Sequence, residues 1–172
     1  CILVSVADSS GAVVDPRGLD VDDLVRARRA GSVREHPTAE IIDRDAIVGV
    51  ECDIWIPAAR PHVLHAGNVD TVTAQIVAEG ANIPATPDAE ARLHERGVLV
   101  LPDFVANAGG VICGAVEFAG GDRNDAFAAI DDRIRANTAA LLAGSRDMTP
   151  RRSAMALARG RIDDAMAVRR FS

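Results

Sequence analysis

The 172-residue sequence contains no lysine and no tyrosine, one tryptophan, four phenylalanines and three cysteines. Each scarcity narrows what the chain can do. All 19 basic residues are arginine, so no side-chain amine is available for a Schiff base or a lysine general base. Cys1, Cys52 and Cys113 are odd in number and have no short pairing. With no signal-peptide pattern, they predict reduced thiols and a cytoplasmic protein. No run approaches the roughly 18 apolar residues of a membrane span. The formal net charge is -6, and no basic cluster is denser than Arg151-Arg152 or Arg169-Arg170; both argue against a nucleic-acid partner. His62 and His65 stand three apart without a carboxylate or cysteine at metal spacing, so no metal site is expected. His36 and His94 read as solvated, and Cys113, on an apolar helix without a His or Asp partner, as a core residue.

What is present suits a single α/β domain large enough to bury one core. Residues 1–7 read as a buried strand closed by the turn Asp8-Ser9-Ser10-Gly11, and Asp15-Pro16-Arg17-Gly18 is a second turn. A surface helix is predicted over 19–30 with Gly31 as its stop, a short helix over 41–48, a buried strand over 53–56 and a short helix over 68–73. Residues 75–79 form the next strand. Thr86-Pro87-Asp88 supplies a capping hydroxyl, a proline in the first turn and an acid near the positive helix end, so a helix runs from there to about Arg96. Gly97 ends it before a fourth strand over 97–101. A glycine-interrupted helix follows over 104–119, then two long amphipathic helices over 122–143 and 150–170, with a mobile link expected at 146–149.

Continuous apolar strands alternating with helices imply a mainly parallel, doubly wound sheet, Rossmann-like, with C-terminal helices. Ligands of such sheets bind beyond the carboxyl ends of the strands. Here those ends carry Asp8, Pro57-Ala58-Ala59, Gly80-Ala81-Asn82, and residues 103–110.

Asp8, followed by Ser9, stands where a Rossmann unit sets an acid against adenosine ribose hydroxyls. The Gly-x-Gly-x-x-Gly loop that should lie about 20 residues earlier falls before residue 1. The first residue is not methionine, and these two observations predict a domain without its first βα unit. The acid tilts the coenzyme toward NAD, with NADP left open. The small turn Pro57-Ala58-Ala59 would let a flat ring or ribose approach the backbone, or would simply pack. Asn82 can donate and accept at once, which suits ribose hydroxyls. Asn107 is in the first turn of a helix, where Gly109-Gly110 remove side chains from a surface a ligand would touch.

In order and spacing, Glu79-Gly80-Ala81-Asn82, Pro84-Ala85-Thr86-Pro87-Asp88-Ala89 and Asn107-Ala108-Gly109-Gly110-Val111 resemble the nucleotide-binding domain of the glutamate/leucine/phenylalanine/valine dehydrogenases. The resemblance is clear from about residue 2 to 118 and extends to the last 50 residues only in pattern. It implies oxidative deamination of an amino acid to a 2-oxo acid and ammonia with NAD(P)+ reduction. It assigns Asp8, Ser9, Pro57, Ala58, Ala59, Gly80, Asn82 and Asn107 to the dinucleotide, with Asn82 on the nicotinamide ribose and Asn107 on the carboxamide. Gly110, Val111 and Gly114 fall at positions lining the amino-acid side-chain pocket. Glutamate-specific members carry serine where Gly114 stands and members acting on apolar amino acids an aliphatic residue, so the substrate stays open. The resemblance departs at Arg60-Pro61-His62, where an acid is usual.

The family's catalytic lysine and aspartate lie in a preceding domain. The chain is therefore expected to be a partial dinucleotide-binding domain, residues 1–149 as core and following helix and 150–172 as a C-terminal helix. It would hold no catalytic residue, be inactive alone and form part of a homo-oligomer at full length. Two alternatives are a non-catalytic dinucleotide-binding or regulatory relative and another Rossmann enzyme such as a methyltransferase. Asparagines at two further strand ends suit a dinucleotide better than a single nucleoside.

Overall fold

A computed structural model of the chain describes residues 1–144 and 148–169. It contains two three-stranded sheets, each with its own apolar cluster. Strands β1 (Ser5–Ala7), β2 (Ala12–Val14) and β3 (Glu40–Ile42) form an antiparallel sheet in the order β1-β2-β3. Strands β4 (Ile54–Trp55), β5 (Ile76–Ala78) and β6 (Leu99–Leu101) form a parallel sheet in the order β4-β5-β6. Helix α1 (Val21–Ala30) joins β2 to β3 together with a short 3-10 turn at Val33–Glu35, and α2 (Pro87–Glu95) joins β5 to β6. After β6 come α3 (Asp103–Ala106), α4 (Gly109–Phe118), α5 (Arg123–Gly144) and α6 (Pro150–Arg169). No described helix is long and apolar enough to cross a membrane.

The parallel sheet matches the sequence reading closely. Registers of Ile54 with Ile76 and of Val77 with Val100 align its β-branched residues. Leu64, Val69, Val77, Ala89 and Leu93 are fully buried around it. Helix α2 begins as expected: the Thr86 side chain accepts from the Ala89 amide at 3.3 Å, Pro87 occupies the first turn and Asp88 follows. Gly97 adopts φ +79°, a left-handed conformation that releases the chain into β6.

The amino-terminal half requires corrections. The run at 2–6 was expected in the parallel sheet, but β1 pairs antiparallel with β2, Val6 opposite Val13. The reason is the loop length: residues 8–11 leave room only for a hairpin, whereas a parallel crossover needs a dozen residues or more. Nor is that run buried, with Ile2 72% and Leu3 42% exposed. The expected buried strand at 53–56 likewise leaves Ile54 45% and Ile56 61% exposed. Both β1 and β4 are edge strands, each paired on one side only.

The helix expected over 41–48 is instead β3 followed by a 3-10 helix at Arg44–Gly49, because Ile41 and Ile42 complete the ladder beside β2. The helix expected over 68–73 is a 3-10 turn, Val69–Thr71. The interrupted helix over 104–119 divides into α3 and α4 at Asn107-Ala108. His36 is buried rather than solvated: its Nδ1 accepts from the Ala39 amide at 3.1 Å. His94 is exposed, as expected. Cys113 is half-buried, not core, and only Ile112 of α4 is buried. Of the link expected at 146–149, residues 146 and 147 lie outside the described residues.

Candidate functional site

The carboxyl ends of β4, β5 and β6 deliver the turns at 57–59, 80–83 and 102–103 side by side. Their backbones are joined. The Ala81 amide donates to the Pro57 carbonyl at 2.8 Å, and the Glu79 amide to the Leu101 carbonyl at 3.1 Å. A Cβ on Gly80 would stand 3.2 Å from the Ala58 Cβ, a tight contact that glycine avoids. Pro57 is buried, whereas Ala58 and Ala59 are exposed.

Asn82 and Asn107 come from different strand ends and converge. Asn107 Nδ2 donates to Asn82 Oδ1 at 2.8 Å. Among the described residues Asn82 Nδ2 and Asn107 Oδ1 then have no partner, leaving a donor group and an acceptor group for a ligand. Asn107 caps α3, its amide bonded to the Asp103 carbonyl at 2.8 Å. Its place follows from the break between α3 and α4.

Gly110 and Gly114 lie one turn apart on α4, and nothing stands within 4 Å of where their Cβ atoms would be. Val111 is 81% exposed beside them. This helix face is open and nearly bare, a surface against which a second group could lie flat.

Asp8 and Ser9 belong to the other sheet, at the β1–β2 turn. The Asp8 carboxylate accepts from the amides of Ser10 at 2.8 Å and Val33 at 2.9 Å and from the Ser32 hydroxyl at 3.2 Å. Burial pushes its pKa up, but these donors and the charge of Arg28 outweigh that and hold it below the ordinary value. Asp8 thus fixes its own corner of the chain. Next to it Ser9, Ser10, Gly11, Arg34 and Arg44 line an open recess of about 530 Å³.

A charged cluster lies directly behind the three turns, and the sequence reading had not found it. Glu79 is fully buried, Asp103 is 8% exposed, and Arg151 of α6 reaches both. Burial, the largest influence, and the charge of Glu90 push the Glu79 carboxyl up to about 7, against the opposing Asp103 amide and Arg151. For Asp103 burial raises the pKa, but the amides of Ile83 and Phe104 and the Arg151 charge lower it further. The only sequence signal for this cluster was a glutamate at the end of an apolar strand; its arginine lies 72 residues away. Among the described residues no group of three His, Cys, Asp or Glu side chains is arranged to hold a metal ion.

The order of motifs and the strand-end geometry define an α/β chain of the amino-acid dehydrogenase type. The sequence profile of the Glutamate/Leucine/Phenylalanine/Valine dehydrogenase family matches residues 2–170, and the chain belongs to that family. The glutamate dehydrogenase of Thermotoga maritima is 44% identical over 110 residues, 63% of this chain and 26% of that protein. The NADP-specific glutamate dehydrogenase of Saccharolobus shibatae is 37% identical over 118 residues, 68% of this chain and 28% of that protein. In structure the chain is similar to the hetero-hexameric glutamate dehydrogenase of Thermus thermophilus in its Leu-bound form. There the TM-score is 0.83 at 28% identity, over 98% of this chain and 42% of that one. The chain therefore spans about a quarter of the length of its curated relatives.

Proposed function

We propose that this chain is the nucleotide-binding portion of an enzyme that oxidatively deaminates L-glutamate or a related amino acid to a 2-oxo acid and ammonia with reduction of NAD(P)+. The observation that carries this reading is the convergence of Asn82 and Asn107 above the carboxyl ends of β5 and β6. Their free donor and acceptor match a carboxamide and ribose hydroxyls. Pro57, Ala58, Ala59 and Gly80 form the small-side-chain floor on which a ring can lie, and Gly80 keeps that floor low. When bound, NAD(P)+ supplies the hydride acceptor. The residues of this chain orient it: Asn107 would fix the rotation of the carboxamide and so the exposed ring face, and Asn82 would hold the ribose. The open face of Gly110, Val111 and Gly114 borders the amino-acid side chain.

Asp8 and Ser9 would stand at the adenosine end, the Asp8 carboxylate offering a ribose hydroxyl the acceptor site that its donors Ser10, Ser32 and Val33 leave. Asp8 tilts the choice toward NAD, while one relative is named NADP-specific, so either coenzyme remains the reading. With no lysine to serve as the catalytic base, the isolated chain would not turn over. The catalytic groups would come from a separate substrate domain, in a cytoplasmic homo-oligomer.

The test is initial rates of NAD+ and NADP+ reduction by the full-length gene product with glutamate, leucine, valine and phenylalanine in turn. Turnover with one pair is expected, and Asn107→Ala should lower kcat/KM for that pair by roughly 10- to 100-fold, as loss of one or two oriented hydrogen bonds does. No reduction with any pair would overturn the reading in favour of a non-catalytic relative.

A further inference from the structure

Arg151 occupies the first turn of α6, far from the strand ends in sequence, yet its guanidinium meets three carboxylates there. It stands 2.9 Å from Glu79 Oε2, 2.6 Å from Glu90 Oε1 and 3.1 Å from Asp103 Oδ1. Its Nε is 2.8 Å from each Glu90 oxygen, and its face lies 5.4 Å from the centre of the Phe104 ring. The side chain is 28% exposed, while Glu79, Asp103 and Glu90 are 0%, 11% and 16% exposed. The planar fork of arginine can serve several acceptors at once, as an ammonium cannot.

From this point hydrogen bonds run outward to both loops. Glu79 Oε2 accepts from the Asp103 amide at 2.9 Å, and Asp103 Oδ2 accepts from the Ile83 amide at 2.9 Å. Ile83 has φ +48°, a left-handed conformation that a β-branched residue adopts only when its surroundings impose it. One residue before it stands Asn82, and one turn after Asp103 stands Asn107. Remove the guanidinium and three acids face one another at the end of the sheet, with Glu79 Oε1 already buried and, among the described residues, without a hydrogen-bond partner.

We propose that Arg151 is a positioning residue: α6, seated by Ala154 against Val105 and Leu141, uses this guanidinium to hold the 79–83 turn and the start of α3 so that Asn82 and Asn107 converge. The inference rests on the reading of those asparagines as dinucleotide contacts, and its test separates the two. The charged and titratable groups facing the guanidinium are Glu79, Glu90 and Asp103, with His94 at the rim of the same small recess.

The experiment compares Arg151→Met, Arg151→Lys and the control Arg152→Met in the full-length protein, by amide hydrogen exchange and by fluorescence titration with NADH and NADPH. In Arg151→Met, protection of segments 79–84 and 102–108 should fall at least tenfold, with the β1–β3 segments unchanged. The dissociation constant for the preferred dinucleotide should rise at least tenfold. Arg151→Lys should show the same pattern more weakly, and Arg152→Met neither change. If Arg151→Met fails to fold, Arg151→Lys is read by the same criteria. Unchanged protection at 79–84 and 102–108, or an equal fall throughout the chain, would overturn the proposal. A wild-type protein that binds neither dinucleotide would overturn the functional reading of the asparagines, while the exchange result alone would still decide whether Arg151 braces the two loops.

Discussion

The antiparallel sheet and the parallel sheet are each three strands wide, but they handle their strand-end carboxylates in opposite ways. In the parallel sheet, α2 and the chain at 64–74 cover the strands and Leu64, Val77 and Leu93 are wholly buried. Its strand-end acid, Glu79, is buried with them and raised to about 7. In the antiparallel sheet only the central strand β2 has fully buried residues, Ala12 and Val13. The strand-end acid there, Asp8, is half-buried and held below its ordinary value by the Val33 and Ser10 amides and the Ser32 hydroxyl. Parallel strands are stable only when covered on both faces, whereas a hairpin can leave one face wet. The difference teaches that hydrogen-bond donors keep one strand-end acid charged, while burial drives the other towards its neutral form.

The largest break in that contrast would come from the cores. Leu93→Ala removes a fully buried side chain from the cluster of eleven around the parallel sheet, and a loss of about 2–5 kcal/mol is expected in urea unfolding. Leu24→Ala, in the cluster of four beside the antiparallel sheet, should lose about half as much. Equal losses would erase the distinction.

A second comparison uses pH. A carboxyl whose folded pKa lies above its ordinary 4.5 binds more protons when folded than when unfolded, so stability falls as pH rises from about 4.5 to about 7. Over that interval Glu79 accounts for up to roughly 3 kcal/mol. Glu79→Gln should flatten this stretch of a plot of Tm against pH; an unaltered slope would remove Glu79 as its cause.

Asp8 has the opposite sign. Its folded pKa is depressed, so its contribution is present above the ordinary 3.8 and disappears as pH falls through the folded value. Asp8→Asn should destabilise by about 1 kcal/mol at neutral pH through weakened bonds to the Val33 and Ser10 amides. Exchange should rise at 8–11 and 32–34 and nowhere in the parallel sheet, and spread into β5 or β6 would deny that the halves are independent.

Features legible in the sequence were those written by neighbouring residues. Thr86, Pro87, Asp88 and Gly97 delimited α2 because caps and left-handed glycines act within one turn. Strand ends and motifs led to the turns at 57–59 and 80–82 and to Asn107, and in the structure the Ala81 amide meets the Pro57 carbonyl and Asn82 meets Asn107. Other features depended on distant partners. Strand β3 was mistaken for helix because the pairing of Ile41 and Ile42 with β2 spans some 30 residues. His36 was read as solvated because nothing in its neighbours announces burial. Arg151 looked like half of an ordinary basic pair.

By itself the sequence determined which segments turn, which begin helices and which present asparagine and glycine at strand ends, since those follow from short-range sterics and hydrogen bonding. Only the tertiary structure decided that the strands divide into two sheets, that Ser32 and Val33 brace the Asp8 carboxylate, and that one guanidinium answers three acids behind the site. Those outcomes depend on which surfaces meet and exclude water, and burial sets the strength of a charge only after the chain has closed around it.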